Sequence, residues 1–132
     1  MSNSIVDLLA RISTHLAAFE LPPVASINIT AGAAAPHVTM QLTHRDPAAL
    51  AQALLAWADT LTQVTAQAWR VPLGDSMHLS ITGSMASGDS VLVYGGLPTN
   101  RGGLGTDLPP GATTTMPLAA LRYAATLQEA GA

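Results

Sequence analysis

The tripeptide Gly-Asp-Ser occurs twice, as Gly74-Asp75-Ser76 and Gly88-Asp89-Ser90, and His78 follows two residues after the first serine. An acid, a hydroxyl and an imidazole are the ingredients of nucleophilic catalysis. That chemistry needs the base within ~3 Å of the attacking oxygen. Around both copies the residues alternate apolar and polar, which predicts strands. On a strand Ser76 and His78 stand about 6.6 Å apart along the chain, and Asp75 points to the opposite face. A local triad is therefore not expected.

The tripeptides superficially resemble the nucleophile motif of the GDSL-type esterases, a resemblance that implies a serine nucleophile. That family places Gly-Asp-Ser after a strand near the N-terminus and leads it into a helix. It also uses a distant Asp-x-x-His near the C-terminus. Here both copies lead into strands, and the one Asp-x-x-His, Asp75 to His78, overlaps the first copy. The Gly-x-Ser-x-Gly elbow of α/β-hydrolases is absent as well. Gly and Asp are turn residues, so the copies read better as strand punctuation, and a serine esterase is the last of three functional readings.

Other chemistry is equally thin. His15, His37, His44 and His78 show none of the short spacings that bring two imidazoles to one metal, so no metal site is expected. The stretch GGLPTNRGGLG (95–105) lacks the Lys-Ser/Thr of a P-loop and the dinucleotide fingerprint, so no cofactor is expected. Glu20 and Glu129 lie near helix ends, and no carboxylate pair is placed for acid–base work. These absences argue for a non-catalytic protein.

Composition narrows the partners. The chain has 132 residues, enough for one domain, with 10% charged residues against about 25% in typical domains. All five basic residues are Arg, as in proteins from high-GC bacteria, and the net charge is −3, so nucleic-acid binding is not expected. Without Cys there is no disulfide or thiolate chemistry. No basic leader and no apolar run near ~18 residues is found, so the expected setting is cytoplasmic, without a membrane.

The elements that must position these residues follow from periodicity. Ile5, Leu8, Leu9, Ile12, Leu16 and Phe19 predict an N-terminal helix within 1–21, ended by Pro22-Pro23. Residues 24–30 and 37–43 alternate and predict a hairpin. Asp46-Pro47 opens a second helix whose Leu50, Leu54, Trp57 and Leu61 form the buried stripe. Strands are predicted at 64–71, 76–86 and 90–95, then a mobile Gly/Pro-rich connection over 95–114 and a last helix from Met116-Pro117. The expectation is a single α+β domain over 1–132, of order αββαβββα. Its sheet is antiparallel and five-stranded, with helices packed mainly on one face.

Five strands span about 24 Å and hold two ~10 Å helices, which leaves the N-terminal helix as a candidate to pack on a partner chain. The outer sheet face carries His37, Gln41, His78, Ser80 and Thr82, with Trp69 and Tyr94 as aromatic spots, and no Lys or acid. Uncharged faces with aromatic spots suit contacts. The leading expectation is a non-catalytic homodimeric interaction or accessory module built on that face. The alternative is a small-molecule-binding domain using the same residues.

Overall fold

The computed structural model describes residues 4–30, 37–44, 46–72, 76–98 and 108–131. Three helices and six strands follow the order α1 (Ile5–Ala18), β1 (Val24–Ile29), β2 (Val38–Leu42), α2 (Pro47–Ala58), β3 (Thr62–Arg70), β4 (Ser76–Ser84), β5 (Ser90–Pro98), β6 (Thr113–Met116), α3 (Leu118–Gly131). This is a single α+β arrangement, as the periodicity predicts.

Local chemistry starts and stops these elements. Ser4 caps α1 by accepting from the Asp7 amide at 3.2 Å. Asp46 caps α2 by accepting from the Ala49 amide at 3.0 Å, with Pro47 in the first turn. Each cap satisfies one amide that the first helical turn leaves without a partner. The β4–β5 hairpin closes through Met85 N–H to Asp89 O and Gly88 N–H to Met85 O, at 2.9 and 2.8 Å. Gly88 sits at φ +92°, the left-handed position that a three-residue hairpin loop requires. The second Gly-Asp-Ser is thus the end of a turn.

The sheet differs from the expected one in two ways. It has six strands in the order β1-β2-β5-β4-β3-β6, and β2 runs parallel to β5 while every other pair is antiparallel. The β1–β2 hairpin is present as predicted. It docks on the outer edge of β5, and α2 carries the chain from the end of β2 back across β5 and β4 to start β3. Period-2 alternation tells which face a side chain takes but not which edge receives the next strand, so the parallel pair was not readable.

The sixth strand overlaps the end of the predicted 95–114 connection and takes in Met116, so the last helix starts at Leu118 and not at Met116-Pro117. Thr113–Met116 pairs with Ala66–Trp69 of β3, and β5 extends through Pro98. The connection is shorter at both ends than expected, and residues 99–107 lie outside the described residues, as do Gly74 and Asp75. A run of three threonines has no apolar alternation to mark it; its β-branched character was the available signal.

One core unites the layers. Val38, Met40, Leu79, Ile81, Val91 and Val93 from the sheet pack with Leu50, Leu54 and Trp57 of α2, Leu121 and Ala124 of α3, and Ile12 of α1. α1 does not compete for the width of the sheet, because it packs at the end of α2 and on the β4–β5 turn, with His15 against Trp57 and Thr60 and Arg11 against Asp89. It seats Leu8, Ile12 and His15 on its own domain. Among the described residues no helix is long and apolar enough to cross a membrane.

Candidate functional site

Since the three helices share the inward core, the other sheet face is left to the alternate residues of each strand. Register places them in rows. Ser26, Gln41, Tyr94, Ser80 and Gln67 lie side by side from β1 to β3, and so do Asn28, Thr39, Leu92, Thr82 and Thr65. A third row holds Gly96, His78 and Trp69. The expected residues Gln41, Trp69, His78, Ser80, Thr82 and Tyr94 therefore do share one face.

Three of them form an aromatic series. The Trp69 and His78 rings meet edge to face with centroids 5.0 Å apart, and His78 stacks on Tyr94 at 5.2 Å and 30°. His78 leans over Gly96, where a Cβ would approach its Cδ2 to 3.6 Å. Burial pulls the His78 pKa below its usual value, which favours the neutral imidazole.

Beside this series a cavity of about 430 Å³ opens on the face. Gln41, His44, Ser76, His78, Tyr94 and Gly96 line it, with Ala25 at the bulge of β1 and Leu42, Thr43 and Leu97 at the ends of β2 and β5. None of the described lining residues is an Asp, Glu, Lys or Arg. Its volume lies within the roughly 300–1,000 Å³ common to small-molecule sites. Ser26 Oγ donates to Gln41 Oε1 at 3.3 Å, which orients the amide beside Tyr94. His44 Nδ1 is buried without a hydrogen-bond partner among the described residues.

Trp69, Ser80 and Thr82 lie on the face but outside the cavity lining. His37 departs from the expected placement. Just ahead of β2, it turns to the strand end, where its N–H donates to Ser90 Oγ at 3.0 Å and its Nδ1 lies 3.9 Å from Asp89 Oδ1. His44, Ser76, Gly96 and Ala25 were not among the expected site residues. Nothing in the alternation signals a cavity made by two small residues and a bulge.

The second Gly-Asp-Ser has a role that its turn character concealed. Asp89 is 4% exposed and takes both nitrogens of one Arg11 edge, Nε to Oδ2 at 2.6 Å and Nη2 to Oδ1 at 3.0 Å. Ser87 Oγ donates to the same Oδ2 at 2.6 Å. The Arg11 hydrogen bonds hold the Asp89 pKa below the carboxylate range, against the opposing effect of burial. Asp89 is thereby committed to docking α1. In the described side-chain contacts of His37 with Ser90 a backbone N–H donates to the other residue's side chain, His37 N–H to Ser90 Oγ and Ser90 N–H to His37 Nδ1, which is no nucleophile–base pair.

His15 is a second structural histidine. Thr60 Oγ1 gives its one proton to the Trp57 carbonyl at 2.8 Å, so His15 Nε2, at 2.9 Å, must donate to that oxygen. Its ring stacks on Trp57 at 6.0 Å and 15°. Among the described residues no group of three His or acidic side chains is placed to hold a metal ion.

No family model, curated protein or solved structure matches this chain.

Proposed function

We propose that the protein is a non-catalytic binding domain that seats a small ligand on the helix-free face of its sheet. The observation that carries this reading is the 430 Å³ cavity beside His78 and Tyr94, whose described lining is uncharged and includes the hydrogen-bonding groups of Gln41, His44 and Ser76. An open, flat face would have favoured a contact surface for another protein. A concavity with a few convergent polar groups is the usual form of a ligand site. The test is a fragment screen on the full chain by amide chemical shifts. Shifts clustered at Gln41, Ser76, His78 and Gly96 are expected, and loss of those hits in Tyr94→Leu. Hits confined to a smaller cavity between α1 and the β4–β5 turn, about 250 Å³ and lined by His15, Phe19 and Met85, would remove the reading.

A homodimeric accessory module remains the second reading, and one observation favours it. The sheet edge at β1 reads VASINI, with no charged residue and with Ile27 39% exposed. Sheet edges are ordinarily blunted by charge or Pro, so an uncharged six-residue edge suits pairing with a second copy. Neither reading involves a membrane or nucleic acid.

A further inference from the structure

We propose that the cavity takes an uncharged planar heterocycle with a donor and an acceptor on one edge, of the nucleobase or nucleoside class. This inference rests on the ligand-binding reading above and narrows it.

Three features of the site converge on that class. The first is the aromatic series. Trp69, His78 and Tyr94 follow one another at centroid spacings of 5.0 and 5.2 Å, and the last two stack with a 30° tilt. A flat ring laid on Tyr94 continues this stack; a base on an aromatic side chain is held in this way. Gly96 and Ala25, the two smallest lining residues, leave room for it.

The second is the edge such a ring meets. Register sets Gln41 directly beside Tyr94. Its amide offers two N–H donors and an acceptor, and the Ser26 hydroxyl fixes which way it points. A carboxamide presents its donor and acceptor side by side, the arrangement that pairs with the adjacent ring nitrogen and exocyclic group of a base. His44 lines the same cavity, and its buried Nδ1 has no partner among the described residues.

The third is charge. The described lining holds no Arg or Lys to meet a phosphate and no acid to meet an amine, and the chain carries a net charge of −3. Phosphate affinity depends on cationic partners, so a free base or nucleoside fits this site better than its nucleotide.

The experiment titrates the full chain with adenosine, uridine, adenosine monophosphate and methyl glucoside, read by amide shifts and by heat of binding. At least one nucleoside is expected to saturate the sites at Gln41, His78 and Gly96. Tyr94→Phe is expected to bind as the parent does, and Tyr94→Leu and Gln41→Leu at least tenfold more weakly. Ser13→Ala, on the exposed side of α1, serves as the folded control and should leave affinity unchanged. Tighter binding of the monophosphate than of adenosine by tenfold or more would overturn the uncharged class. Glucoside binding without nucleoside binding would overturn the planar class while keeping the cavity as a ligand site. If none of the four probes and no fragment occupies the cavity, both this inference and the ligand-binding reading fail.

Discussion

Leu50 fills the space above Gly95 so closely that a Cβ on that glycine would overlap Leu50 Cδ1. Leu50 lies on the buried stripe of α2 and is fully buried, so its displacement must be absorbed within the packed core. The next residue, Gly96, faces the other way and meets only His78 at ordinary contact distance. These adjacent glycines therefore answer to different physics. Gly95→Ala is expected to cost about 1–3 kcal/mol by overpacking. Gly96→Ala should stay within about 0.5 kcal/mol, as substitutions away from tight packing do. Urea unfolding of the two variants checks this, and equal losses would contradict the assigned facing. The sequence shows two glycines in an apolar run and offers no way to tell which one meets a helix.

At the level of elements, α1 is held by two kinds of contact that respond differently to acid. Its apolar side seats Leu8 and Ile12 in the domain, while Arg11 binds Asp89 in the β4–β5 turn. His15, stacked on Trp57, has its pKa lowered by burial, and so does His78 on the outer face. A lowered folded pKa means the unfolded chain binds protons first, so stability falls as pH drops. For the two histidines this loss begins as pH falls through about 6.5, the unfolded value. For Asp89, whose folded pKa is also lowered, the contribution is present above about pH 4 and is lost below it. Unfolding free energy measured from pH 7.5 to 3 should therefore fall in two stages. His15→Phe should shrink the first stage and Asp89→Asn the second. A flat profile between pH 7.5 and 5 would contradict the burial of both histidines.

For the whole molecule, the two ends of the sheet are unlike. The β6 edge is four residues long and lies between Pro110 and Pro117, whereas β1 offers six uncharged residues broken only by the bulge near Ala25. If the second functional reading holds, light scattering at micromolar concentration gives twice the 13.5 kDa chain mass. Asn28→Lys, which places a charge on the exposed β1 strand, should return it to the monomer. A monomeric mass in the parent chain ends the homodimer reading and leaves the ligand cavity untouched.

Much of this architecture was legible from residue order alone. Alternation in 24–30, 37–43 and 76–86 marked strands and told their faces. Asp46-Pro47 marked the start of α2, and the spacing of Leu50, Leu54, Trp57 and Leu61 marked its buried stripe; all four are buried. The grouping of Gln41 and His78 on one uncharged face followed from the same period of two, whereas Trp69 and Tyr94, on strands without clear alternation, are placed beside them by the register of the sheet. Face is a local property, set by the geometry of successive residues, so a single segment contains it. What only the tertiary structure decided is everything that depends on which segments meet. The parallel β2–β5 pairing, the use of Thr113–Met116 as a sixth strand and the seating of α1 on the end of α2 and the β4–β5 turn are of that kind. So are the cavity at Gly96 and Ala25, the turning of His37 away from the face, and the pairing of Arg11 with Asp89, 78 residues apart. Each joins residues distant in the chain through hydrogen-bonding edges and shared space, and neither leaves a periodic trace in either partner's sequence.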